Sequence, residues 1–281
     1  MKFSFLTYLF YRYPLEYCFE IAKRYGFEGI EIWGGRPHAY AYDLNNHRID
    51  DINKWKNKYN LEVSMFTPEV LAYPYSLTSR LEEERRDTVD YLLKSVEVTA
   101  LIGANKMQVV ADHPGYHRSH KEVWNNLIEN LKRICDKAEE MNVEIVIEAF
   151  TPSEGNLITK AEDLYRLLEE MESTSLKAMI DVVPPVVANE PFSEYFNRLK
   201  DKIAYIHFSN SDGVTEQHIL LDDPKGVIPA KEMFSIFKNY GYNGWCSLEL
   251  LVPYFKDPEL YLLQTVNLVN KICNEIGIAR N

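Results

Sequence analysis

Four ionisable side chains interrupt apolar runs in the second half of the chain: Glu148 after VEIVI, Asp181 after LKAMI, His207 after IAYI and Glu249 after WCSL. Burying a charge among apolar neighbours is costly without a partner or a cation. Any one of the four alone reads as well as a buried ion pair or a hydrogen-bonded core histidine. Their succession on consecutive runs changes the balance, because adjacent parallel strands would converge such groups on one point. Three carboxylates and one imidazole, with no thiolate, suit Mn2+; Mg2+, Co2+ and Fe2+ also fit, and Zn2+ is less favoured. An octahedral ion held this way keeps two positions open for neighbouring oxygens of a sugar or hydroxyketone, which it polarises as a Lewis acid.

Other polar residues carry weaker signals. His113, His117 and His120 in ADHPGYHRSH have ligand-like spacing, but Pro114 and Gly115 keep the three off one helix. His113, nearest the end of the fourth run, is the one expected to touch a substrate. His38 in GGRPHAY and His218 in EQHILL fall in loops after the second and seventh runs, and are candidates of the same kind; His47 reads as surface. Aromatic residues make up 13% of the chain, and most must pack the core; Trp33, and Tyr73 with Tyr75 in AYPYS, are expected at the site. The charged stretch LEEERRDTVD reads as a solvated helix face.

The elements that must position these groups follow from periodicity. Eight β-rich runs are predicted as strands: Lys2 to Phe10, Gly29 to Gly34, Leu61 to Thr67, Lys106 to Ala111, Val143 to Phe150, Leu176 to Val183, Ile203 to Asn210 and Trp245 to Leu251. Amphipathic stretches such as Pro14 to Tyr25, Leu81 to Ile102, Glu122 to Met141 and Pro258 to Ile276 lie between them, with Gly26, Gly103, Gly241 and Gly277 at helix ends. Eight β-α units predict a (β/α)8 TIM barrel as one domain over residues 1–281. An open doubly wound sheet alternates similarly, but would show a glycine-rich phosphate loop; Gly34 and Gly35 are only a pair.

Composition narrows the partners. With 42 acidic against 31 basic residues the net charge is −11, which argues against duplex nucleic acid. No run approaches the length of a membrane-spanning helix, and the start MKFSFLTYLFYRYP reads as a first strand rather than a signal. Four scattered cysteines without a C-x-x-C pair read as reduced core residues, so a cytoplasmic protein is expected.

GIEIWGGRPHA at Gly29 to Ala39, TPE and YPY between Thr67 and Tyr75, E-x-x-T-P-x-E at Glu148 to Glu154, and SDG at Ser211 to Gly213 give a further pointer. Through them the chain resembles, over essentially its whole length, the xylose-isomerase-like barrel family of sugar epimerases. The resemblance implies that Glu148, Asp181, His207 and Glu249 hold a divalent metal, that Glu148 and Glu249 are also the acid/base pair, and that Glu154 contacts substrate. The implied reaction is 3-epimerisation of a ketose or ketosamine: a proton leaves C3 from one face and another returns on the opposite face through an enediolate, so two bases are needed. Members acting on free ketohexoses carry a His three residues after the metal Asp and an Arg six after the metal His; here those positions are Pro184 and Gly213. The departure favours a ketose substituted at C1, such as a ketosamine of the fructoselysine kind. Asn210, where a ketosamine-acting relative has Asp, and DDPKG at Asp222 to Gly226 are further departures.

Alternatives within the same barrel are a free-ketose epimerase, a hydroxypyruvate-type isomerase and an inosose dehydratase. An apurinic-endonuclease-like repair enzyme needs a D-x-H pair where this chain has Glu216-Gln217-His218, and a basic surface. A non-catalytic sugar-binding barrel needs no opposed carboxylates. A homo-oligomer is a family expectation.

Overall fold

A computed structural model describes residues 1–251 and 254–280. Its strands are β1 (Lys2–Phe5), β2 (Gly29–Gly34), β3 (Glu62–Pro68), β4 (Lys106–Val109), β5 (Glu144–Ile147), β6 (Leu176–Asp181), β7 (Ile203–Phe208) and β8 (Trp245–Leu248). All pair in parallel, in the order β1-β8-β7-β6-β5-β4-β3-β2. A parallel bridge between Leu6 and Glu31 joins the first and last members of that order, closing the barrel.

Helices such as Leu15–Arg24, Glu82–Leu101, His120–Glu140 and Pro258–Ile276 wrap the sheet and bury its outer face in one apolar core. The period of 2 along each strand sends alternate residues inward. Met65, Val146, Met179, Tyr205 and Trp245 form a separate buried cluster there, beside fully buried Ser4, Ser64, Ser247 and Glu31. The Tyr205 hydroxyl reaches Ser4 Oγ at 3.1 Å and Ser64 Oγ at 2.8 Å, tying β7 to β1 and β3 across the interior. The barrel is therefore filled at mid-height, and its two ends are separate spaces.

Gly26, Gly103, Gly241 and Gly277 end helices with φ of 72°, 71°, 72° and 68°, a region that costs other residues. The first strand is shorter than the sequence predicts. It stops at Phe5, and Thr7–Phe10 is a 3-10 turn. The cause is local: Thr7 Oγ1 accepts the Trp33 backbone N–H at 2.9 Å, which bends the chain over the barrel end. All four cysteines are free and buried. No described helix is long and apolar enough to cross a membrane.

Candidate functional site

The carboxyl ends of β5 to β8 meet in one place. Glu148 follows β5, Asp181 ends β6, His207 is the penultimate residue of β7, and Glu249 follows β8. Their register explains the convergence, since Asp181 is the direct partner of His207 on the neighbouring strand. One ligand atom each from Glu148, Asp181 and His207 lies within 4.8 Å of the others, and so do atoms of Asp181, His218 and Glu249. His207 Nδ1 is 2.7 Å from Glu249 Oε2 and 3.9 Å from Glu148 Oε2. His218 Nε2 is 2.7 Å from Asp181 Oδ2 and 3.3 Å from Glu249 Oε2.

These residues fit a cation. Glu148 Oε2 and His207 Nδ1 are buried without a hydrogen-bond partner among the described residues, although each has a ligand-type neighbour close by. Ligand-type atoms that converge without an aligned hydrogen bond to one another suit a shared cation. Local contacts hold the ligands in place: Gln108 Nε2 donates to Glu148 Oε1, and the Val183 N–H donates to Asp181 Oδ1 at 2.9 Å where the chain turns after β6.

The protonation states divide in the same cluster. Burial, reinforced by Asp181 and Glu249, pushes the Glu148 carboxyl well up despite His207. Burial acts in the same sense on Glu249, but His207 and His218 overcome it and hold that carboxyl down. Both imidazoles are held well above their usual range; burial opposes this, and the surrounding carboxylates win, Glu249 and Glu31 at His207, Asp181 and Glu249 at His218. Two carboxyls pushed apart in this way are the pattern of an acid and a base sharing one site.

The cluster forms the base of a cavity of about 340 Å³ with walls from Leu6, Tyr8, Trp33, Val110, Phe150 and Leu251. Glu69, Glu148, Glu154, Asp181, Glu216 and Glu249 line it together with His218, and no Lys or Arg does so among the described residues. Glu154 and Glu216 stand side by side over it: Ser153 Oγ donates to Glu216 at 2.8 Å, and Thr151 Oγ1 is 3.4 Å from Glu216 and 3.5 Å from Glu154. Burial pushes the Glu154 carboxyl up to about 8, with Glu216 adding to the effect. A larger depression of about 940 Å³ at the amino ends of the strands is lined by Lys2, Lys106, Lys177 and Lys200, and holds none of the convergent groups.

Of the residues expected around a substrate, Trp33, Glu154 and His218 line the cavity. His218 lies closer to the cluster than expected, directly against Asp181 and Glu249. Four others, His38, Tyr73, Tyr75 and His113, are placed elsewhere. His38 is buried behind Trp33, with Nε2 2.9 Å from the Tyr13 carbonyl and Nδ1 3.3 Å from Thr7 Oγ1, so its ring ties down a loop. The Tyr73 hydroxyl accepts the Arg36 N–H at 2.8 Å, and its ring meets Tyr40 in an aromatic group with Tyr75 and Tyr91. His113 Nδ1 accepts the Gly115 N–H at 3.0 Å, closing its own turn.

Sequence reasoning missed Glu31, Gln108, Glu69 and Glu216. Glu31 in GIEIWG and Gln108 in KMQVVA carry the same signal used for the later strands, a polar residue inside an apolar run. Glu69 and Glu216 lie in loops, where no period announces them. Asn210 does not face the cavity. Its amide donates to the Leu221 and Ile228 carbonyls and accepts the Ser211 and Ile228 N–H groups, a set of bonds that an Asp, lacking N–H donors, could not supply.

Comparison with known proteins follows the same line. The model of the xylose isomerase-like TIM barrel family matches residues 19–271, and the chain belongs to this family. A curated relative, fructoselysine 3-epimerase of Escherichia coli O157:H7, is 34% identical over 255 residues, covering 91% of this chain and 92% of that protein. Among solved structures, 3-keto-D-glucoside 4-epimerase from E. coli superposes with a TM-score of 0.81 at 14% identity, over 96% of this chain and 99% of that one. D-psicose 3-epimerase from Clostridium cellulolyticum H10, solved with D-tagatose, gives 0.79 at 14% identity, over 97% and 99%. At these identities the two structures show the shared fold.

Proposed function

We propose that the protein is a divalent-metal-dependent 3-epimerase of C1-substituted ketoses, interconverting ketosamines of the fructoselysine and psicoselysine type. The observation that carries this reading is the convergence of Glu148 and Glu249, from strands three positions apart in the barrel, 3.9 and 2.7 Å from His207 Nδ1 and in one cavity. Glu148, Asp181, His207 and Glu249 would hold the metal, Mn2+ suiting the donors best, with His218 alongside. When bound, the cation polarises the C2 carbonyl and stabilises the negative charge that develops when C3 is deprotonated.

The chain's own groups account for the proton transfers. Glu249 in its ionised form takes the proton from C3, and Glu148 in its protonated form returns one to the opposite face. In the reverse direction the roles exchange. The apolar walls at Trp33, Phe150 and Leu251 limit water at the reacting carbon. Glu69, Glu154 and Glu216, beyond the carboxyls that would hold the metal, line the cavity with no Lys or Arg among the described residues, which favours a substrate bearing a protonated amine over an anionic one.

The test is proton NMR after incubation with fructoselysine or free fructose in D2O with Mn2+, the metal being removed before acquisition. Deuterium at C3 of fructoselysine alone supports the proposal. Label at C1, or at neither carbon, overturns it.

A pH effect follows from Glu154. Its carboxyl is pushed up to about 8 by burial and by Glu216, so it is mostly neutral at pH 6 and gains charge as the pH approaches 8. KM for a ketosamine, still protonated over that range, is expected to fall between pH 6 and 8, while KM for a free ketose stays flat. Glu154→Gln should remove the pH dependence; initial-rate measurements across the range check this.

A further inference from the structure

Glu31 has no part in the chemistry above, yet it is a fully buried carboxylate in the barrel interior. No Lys or Arg pairs with it among the described residues. Its oxygens lie 3.0 and 3.1 Å from His207 Nε2. Two hydroxyls complete the set, Thr67 Oγ1 donating at 2.5 Å and Tyr205 at 3.2 Å. Tyr205 is itself held by Ser4 and Ser64 on β1 and β3.

The two edges of the His207 ring therefore meet different surroundings. Nε2 lies within hydrogen-bond distance of both Glu31 oxygens, which accept an N–H placed there. Nδ1 faces Glu249 and Glu148 and makes no aligned hydrogen bond. A ring whose Nε2 edge is committed to Glu31 turns its Nδ1 edge to the carboxylate cluster, where a bound cation would take the place of the proton, and a carboxyl behind the ring strengthens that nitrogen as a ligand.

The geometry points to Glu31 as the positioning residue for His207: anchored by Thr67, and by Tyr205 through Ser4 and Ser64, it sets the ring's tautomer and orientation toward a bound cation. The support comes from β2 and β3, across the barrel from the strand that carries the histidine. This inference rests on the metal-centre reading of the same site.

Isothermal titration of the full chain with Mn2+ alone, and the visible absorption of the Co2+-loaded protein, test it without turnover. Glu31→Gln keeps the shape and removes the charge. It is expected to weaken Mn2+ binding about 10- to 100-fold and to shift the Co2+ bands. Excess Mn2+ should then restore C3 exchange, which would not happen if the variant were merely misfolded. Wild-type affinity with unchanged Co2+ bands in a folded Glu31→Gln protein overturns the inference and leaves the metal centre intact. Failure of the wild-type protein to bind Mn2+ removes the metal centre, and this inference with it. Should Glu31→Gln not fold, Thr67→Val and Tyr205→Phe loosen the carboxylate while keeping its charge; weakened Mn2+ binding then supports the role, and wild-type binding refutes it.

Discussion

Glu249→Gln is expected to keep the fold and to slow deuterium entry at C3 by about 10²- to 10⁴-fold, the usual contribution of a general base. The amide keeps an oxygen to face the cluster and nearly the same shape, but loses the proton-accepting function. Circular dichroism should be unchanged, while the NMR exchange assay reads the loss. Glu249 is the carboxyl that His207 and His218 hold down, so it is the partner already ionised at neutral pH. Near-normal exchange in this variant would remove Glu249 from its assigned role and leave Glu148 without an opposite partner.

Chelation should have a comparably large effect. Exhaustive dialysis against a chelator is expected to bring C3 exchange to background, and Mn2+ to restore it. The same titration reports on stability. A cation binding only the folded form at 100 times its dissociation constant contributes about 2.7 kcal/mol, which should raise Tm by several degrees in a chain of this size. The rise is expected because mutual repulsion among Glu148, Asp181 and Glu249 is relieved by a shared positive charge. Full activity after chelation, or an unchanged Tm on adding Mn2+, would refute the assignment.

Much of this was legible in the sequence because barrel strands punctuate it regularly. The second strand matches its expected bounds, Gly29–Gly34, and the last helix its bounds, Pro258–Ile276. Several other strands end earlier than expected. The run from Val143 to Phe150 contains a strand of only Glu144–Ile147, and Trp245 to Leu251 one of Trp245–Leu248. The residues beyond remain apolar because they line or support the cavity, so hydrophobicity continues after the hydrogen-bonded ladder stops. Glu148 and Glu249 lie just past that stop, which frees them from strict strand geometry.

Loop contacts were less legible for a different reason. His38 and Tyr73 follow strands on the active side, but their rings turn toward Thr7, Tyr13, Arg36 and Tyr40, partners brought near only by the closed fold. Sequence position specifies the end of the barrel; it does not specify which way a loop side chain turns there. Glu31 was the opposite case, a strand residue whose charge could have been flagged. Its partner, His207, is 176 positions away in the chain, so sequence spacing does not connect the two.

The filled middle of the barrel has a kinetic meaning. With Tyr205, Met179, Val146 and Met65 blocking the way through, the cavity is a cul-de-sac toward the amino ends of the strands. A substrate converted there would have to back out on the same side of the barrel before another could take its place. Under the proposed reaction the two epimers would then act as rivals for one berth, each slowing conversion of the other.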